Sequence, residues 1–136
     1  MSLYVLIGVA AAAVLFFAIR AGQKKPKIVY SDDGIPEGME EDYKAALAPG
    51  EDGIPLMYDL TTCRHCVHMH EFLDRHGIRH HQIYVDKFQN GARSAVLAEM
   101  KKHNPRGSFP TLVVPGGKTV VGYREAQIRE ALNITD

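Results

Sequence analysis

The chain contains two cysteines, Cys63 and Cys66, three positions apart. Thiol–disulfide exchange needs a thiolate that attacks and a second thiol that resolves the mixed disulfide. Cysteines at i and i+3 at the start of a helix supply both. At a helix amino terminus the Cys63 anion is favoured by backbone N–H groups and the helix dipole. Cys66, one turn in, shares a face with Met69 and Leu73 and is expected to be more buried. The spacing therefore predicts Cys63 as the attacking thiol and Cys66 as the resolving one. Arg64 places a fixed positive charge beside the thiolate, and a protonated His65 adds another. Charge of that sign lowers a cysteine pKa and makes the couple more oxidising. Side chains pointing into water would contribute little.

The same stretch is dense in metal ligands: Cys63, Cys66, His65, His68 and His70. Cys66 and His70 stand at i, i+4, on one helix face. Met69 and Leu73 define the buried stripe, however, which leaves His68 and His70 on its solvent side. Four convergent ligands cannot be placed around a helix end, so no metal is assigned. Structural zinc and an iron–sulfur cluster remain as alternatives. His76, His80, His81 and His103 fall at helix ends or strand edges and are expected on the surface.

With no third cysteine there is no disulfide framework, so the fold must come from packing. Formal net charge is zero, but the charge is laid out in blocks. Arg20, Lys24, Lys25 and Lys27 form a basic cluster without acids. Residues 31–53 carry eight acids against Lys44 alone, and residues from Ile54 onward carry eleven Lys/Arg against eight Asp/Glu. No basic patch is large enough to argue for nucleic acid. The run Leu3–Ile19 has no charged residue and as a helix spans roughly 25 Å, at the short end for a bilayer. It reads as an uncleaved single-pass membrane anchor. A cleaved signal peptide is the alternative, but Phe16-Phe17-Ala18-Ile19-Arg20 is a poor cleavage site. The basic cluster after the run places the carboxy-terminal side in the cytoplasm. Gly8 and Ala12 have small-xxx-small spacing, weak grounds for helix pairing. Three segments result: an anchor over 1–20, an acidic linker over 21–53 and a folded domain over 54–136. The linker reads as a solvated spacer. Its alternative is docking of Ile28, Val29 and Tyr30, or of a short helix over Glu40–Ala48 with Tyr43 and Leu47 paired, onto the domain.

The domain must place the cysteines at a helix start, and its pattern does so. Ile54–Leu60 reads as a strand. Cys63–His76 has helical spacing, with Cys66, Met69, Phe72 and Leu73 on one face and Gly77 ending it. His81–Asp86 alternates as a strand, Ala92–His103 is a second helix and Asn104-Pro105 breaks it. Thr111–Val114 and Lys118–Val121 flank the turn Pro115-Gly116-Gly117. Arg124–Leu132 closes as a helix. The order β-α-β-α-β-β-α implies a mixed four-stranded sheet with helices on both faces, an α/β fold.

These pieces, in this order, resemble the glutaredoxin family of the thioredoxin fold. The resemblance rests on Thr62-Cys63-Arg64-His65-Cys66, Phe72-Leu73-Asp74-Arg75-His76-Gly77, Ser108-Phe109-Pro110-Thr111, and Gly116-Gly117-Lys118 through Gly122-Tyr123. It covers about residues 54–135. It implies a thiol–disulfide oxidoreductase acting on protein disulfides, with no resident cofactor; a potential above that of thioredoxin is expected from the charge of Arg64 and His65 instead. It also implies a cis Pro110 that turns the Phe109 backbone toward Cys63, where a substrate strand could pair. The family's glutathione site then falls at Phe109, Pro110, Gly122, Tyr123 and Arg124. Three departures bear on the donor. Arg64-His65 replaces the frequent Pro-Tyr, Tyr123 stands where a second glycine is frequent, and Arg124 precedes Glu125. They tilt the expectation from glutathione toward a thioredoxin-type dithiol donor or thioredoxin reductase. A non-catalytic membrane adaptor is the remaining alternative.

Overall fold

The computed structural model describes residues 27–135. The expected anchor over residues 3–19 lies outside them. Among the described residues no helix is long and apolar enough to cross a membrane.

The elements are α1 (Glu40–Leu47), β1 (Leu56–Asp59), α2 (Arg64–Arg75), β2 (His81–Tyr84), α3 (Asn90–His103), β3 (Thr111–Val113), β4 (Thr119–Val121) and α4 (Glu125–Leu132). A single 3-10 turn, Val85–Lys87, follows β2. The strands form one mixed sheet in the order β2-β1-β3-β4. β1 runs parallel to β2 and antiparallel to β3, and β3 is antiparallel to β4. This is the expected topology, with element ends shifted by one or two residues.

The register sorts side chains to two faces. Leu56, Tyr58, Ile83 and Val113 face one way and pack with Ala46 of α1 and Val96 and Met100 of α3. Met57, Leu112 and Val120 face the other way, against Met69, Phe72 and Leu73 of α2 and Ile128 of α4. The helices thus cover both faces of the sheet.

The linker departs from the solvated spacer expected over 21–53. Residues 30–53 are folded onto the domain. Ser31 opens a tight hairpin in which its Oγ accepts from Ile35 N–H at 3.0 Å, and Tyr30 bridges to Pro36. α3 has no side-chain cap at Gln89. The linker caps it instead, because the Gly34 carbonyl accepts from Gln89 N–H at 2.9 Å and the Asp33 carbonyl from Ala92 N–H at 2.8 Å. These satisfy donors that a helix start leaves open. Gly34 adopts φ +93°, and a Cβ there would sit 2.1 Å from the Gln89 carbonyl oxygen, so no side chain fits. Ala46 of α1 is fully buried, and its carbonyl accepts from the buried Tyr58 hydroxyl at 2.6 Å. Such a bond contributes about 1 kcal/mol net, and more is lost if one partner is left unpaired.

The docked face of α1 is Met39, Tyr43 and Ala46 rather than the expected Tyr43 and Leu47 pair. Leu47 is exposed, and Tyr43 stacks at 5.7 Å on Phe88. Ile28 and Val29 stay exposed. Low apolar density predicts a solvated segment, whereas backbone bonds and a few apolar contacts dock the short helix, the alternative reading.

Candidate active site

β1 is a central strand, and the crossover to parallel β2 runs through α2. The start of α2 therefore lies beside the carboxyl end of β1, and residues 60–63 carry the chain between them. Cys63 is the N-cap of α2, and its Sγ accepts from Cys66 N–H at 3.2 Å. The two sulfurs are paired as a disulfide, with Cα atoms 5.2 Å apart. Cys66 is buried and Cys63 only partly so. Arg64 and His65 are both exposed. An open groove of about 430 Å³ borders the disulfide, lined by Thr61, Thr62, Cys63, Arg64, Val67 and His68. Val67 is half exposed there.

The loop before Cys63 is held by a residue that the sequence did not single out. Both carboxylate oxygens of Asp86 accept from Thr61 N–H, at 3.0 and 3.2 Å, and Thr61 Oγ1 also bonds Asp86. Arg93 fixes the Asp86 segment in turn, donating to the Asp86 and Phe88 carbonyls at 2.7 and 2.8 Å.

The Phe109–Pro110 peptide is cis. Its loop hangs on Asn104, read from sequence only as a helix breaker. Asn104 is buried, and its Nδ2 donates to Ser108 O, Ser108 Oγ and Thr111 Oγ1. Pro110 is buried and accepts from Gly122 N–H at 2.8 Å, which ties this loop to the end of β4. Phe109 packs partly against the α3 face of the core. Gly122 takes φ +78°. Tyr123 is partly buried, its ring 5.9 Å from His68 and 6.3 Å from Phe72. It lines a second cleft with His68, Glu71, Asp74 and Arg75, so His68 borders both clefts. Arg124 is exposed at the N-cap of α4. His76, His80, His81 and His103, expected on the surface, are each partly buried.

Asp59 was also missed. It ends β1, is fully buried and leaves Oδ1 without a partner among the described residues. Its Oδ2 accepts from Gln82 Nε2 at 2.7 Å. By strand alternation it points to the Met57 face, the one covered by α2. Burial pushes its carboxyl up to about 7; the Gln82 bond pulls it down and the Asp86 charge pushes it further up. A lone acid in the run Leu56-Met57-Tyr58-Asp59-Leu60 was the available signal.

The fold and the N-cap dithiol define a thioredoxin-fold redox domain. Comparison with known proteins agrees. The glutaredoxin family model matches residues 56–120. The crystal structure of glutaredoxin grx-1 from Archaeoglobus fulgidus is 33% identical, with a TM-score of 0.58, covering 62% of this chain and 90% of that one. The glutaredoxin of Methanosarcina mazei Go1 is 33% identical, with a TM-score of 0.57, covering 60% and 80%. Methanoredoxin from Methanosarcina acetivorans is 34% identical, with a TM-score of 0.57, covering 60% and 86%. No curated protein sequence matches. The chain belongs to the glutaredoxin family.

The buried carboxyl gives a test of this geometry. Burial holds the folded Asp59 carboxyl up to about 7, against about 3.9 for a free aspartate. Between those values the folded state keeps a proton that the unfolded state has released, so stability falls as pH rises through the window. Asp59→Asn keeps the acceptor for Gln82 and abolishes the titration. Its stability relative to the native chain is expected to be greater at pH 8 than at pH 4 by on the order of 3 kcal/mol. Urea unfolding across that range measures it. A pH-independent difference would refute the assignment.

Proposed function

We propose that the chain is a thiol–disulfide oxidoreductase that reduces or exchanges protein disulfides through Cys63 and Cys66 at a membrane surface. The observation that carries this is the asymmetry of the pair. Cys63 caps α2 beside an open groove, while Cys66 is buried one turn in. In this reading the Cys63 thiolate attacks one sulfur of a substrate disulfide. A mixed disulfide forms, and the substrate's other sulfur leaves as a thiolate. Cys66 then loses its proton and attacks Cys63 Sγ, which releases the second substrate thiol and closes the Cys63–Cys66 disulfide. The Cys66 N–H directed at Cys63 Sγ favours the anion, and Arg64 adds fixed charge. A donor then returns two electrons and two protons.

The donor proposed is a thioredoxin-type dithiol or thioredoxin reductase rather than glutathione. Tyr123 supports this, because its ring is lodged against His68 and Phe72 where the family's glutathione carboxylate site is expected. Arg124 works the other way, since it could pair with a carboxylate. The membrane placement rests on the Leu3–Ile19 run, and the cytoplasmic side on Arg20, Lys24, Lys25 and Lys27.

Cys63→Ser is expected to abolish reduction of a protein disulfide, and Cys66→Ser to trap substrate on Cys63 without turnover. Insulin reduction and non-reducing gels measure the two, and equal alkylation rates for the reduced thiols would sink the assignment of roles. Tyr123→Gly is expected to raise the rate with glutathione by roughly tenfold, the size of a 1.4 kcal/mol change in barrier. Fast, saturable glutathione reduction of the native protein, with none by the thioredoxin system, would overturn the donor proposal. A membrane-impermeant thiol reagent should leave Cys63 unlabelled in intact cells and label it after permeabilisation. Labelling of intact cells would put the domain on the opposite side.

A further inference from the structure

One turn after Cys66, two imidazoles and a carboxylate converge on the flank of α2. His70 and Asp74 stand at i, i+4 on the helix, and His70 Nε2 lies 3.2 Å from Asp74 Oδ2. His80, in the loop that leads into β2, brings its Nε2 to 2.9 Å from His70 Nδ1. One ligand atom from each of the three residues lies within 4.8 Å of the others. We propose that His70, Asp74 and His80 form a binding site for a divalent transition-metal ion of the zinc class, independent of the redox cysteines.

The hydrogen bonds fix how the donors are presented. His80 Nδ1 lies 2.8 Å from the Ile78 carbonyl oxygen. A carbonyl oxygen only accepts, so Nδ1 carries the proton and Nε2 presents its lone pair to the cluster. A ring N–H tied to a backbone carbonyl is the arrangement that orients metal-binding histidines. His70 Nδ1 then faces that lone pair, and Asp74 Oδ2 lies 3.2 Å from the other nitrogen of the same ring. An ion between the two imidazoles takes the place of the His70 Nδ1 proton, which is released, and the exposed Asp74 side chain turns to bring a carboxylate oxygen to it.

The donor chemistry selects the ion. Two imidazole nitrogens and one carboxylate oxygen suit Zn²⁺ and its neighbours over Mg²⁺ or Ca²⁺, which take oxygen ligands. Ligand bonds of about 2.0–2.1 Å in tetrahedral geometry require nitrogens about 3.3 Å apart. The imidazoles would need to separate by only a few tenths of an ångström. His70 and Asp74 keep 35% and 60% of their side-chain surface exposed, and Asp74 also lines the cleft beside Tyr123. The ion therefore has a path in, and water can fill the remaining position. The zinc considered from sequence drew on Cys63, Cys66 and nearby histidines; the structure brings His70 together with His80 from beyond the helix instead.

The test uses the full-length chain, without a histidine tag and with Cys63–Cys66 oxidised, so that no thiolate can ligate. Zn²⁺ is titrated by calorimetry and Co²⁺ by visible absorption. One ion per chain is expected. His70→Ala and His80→Ala should each weaken Zn²⁺ binding by about 100-fold and Asp74→Asn by about tenfold, with His68→Ala, on the same helix, unchanged. Imidazole NMR of the native chain gives a second readout, in which Zn²⁺ shifts the His70 and His80 ring nitrogens and leaves His68 in place. This readout stands even if a variant fails to fold. Binding no tighter than about 1 mM, binding unchanged in folded His70 and His80 variants, or ring shifts at His68 instead would overturn the proposal. None of these results depends on whether the dithiol is catalytic.

Discussion

The first N–H groups of α2 have no acceptor inside their own helix, and the sulfur of Cys63 takes one of them. Much of the surrounding structure can be understood as holding that meeting point. β1 lies between β2 and β3, so the strand leading to the cysteine is braced on both edges. Asp86 clasps Thr61 from the far end of β2, and Arg93 clasps the Asp86 segment. Met69, Phe72 and Leu73 pin α2 to the sheet. A sulfur that caps a helix needs the helix to start at one residue and nowhere else, and these contacts define the start.

Two buried polar side chains flank the site and behave differently. Asn104 meets three acceptors through one nitrogen and holds the loop that carries Pro110. Its burial is compensated. Asp59 meets one donor and leaves an oxygen unpaired among the described residues, so its charge is poorly solvated. Natural cores rarely keep such a group unpaired, and its place at the end of β1 sets it on the face covered by α2, the helix that Cys63 caps.

Much of this architecture was legible from the sequence because local rules and tertiary packing agree. The i, i+3 cysteines, the inward stripe Cys66, Met69, Phe72 and Leu73, and the glycine turn between β3 and β4 each carry a periodic or steric signal. What escaped has no such signal. Residues 30–53 dock through the carbonyls of Asp33 and Gly34 and the small side chain of Ala46. Backbone acceptors are sequence-blind, and an alanine is ambiguous. Asp86 and Asn104 act across turns and strands, through partners remote from any motif. The His70 and His80 pairing depends on how Gly77 turns the chain after α2, a path that helical spacing does not describe.

The docked linker also sets a leash. A solvated stretch from residue 21 to 53 would let the dithiol roam far from the apolar run at the amino terminus. With Tyr30 already fastened beside Pro36, only the residues between Ile19 and Tyr30 remain to span that distance. Fully extended they reach at most about 40 Å, at roughly 3.3–3.6 Å per residue. Were that run held in a membrane, as proposed above, the attachment of the domain at Tyr30 would stay within that distance of it, and substrates would be sampled by their height above the surface as much as by their shape.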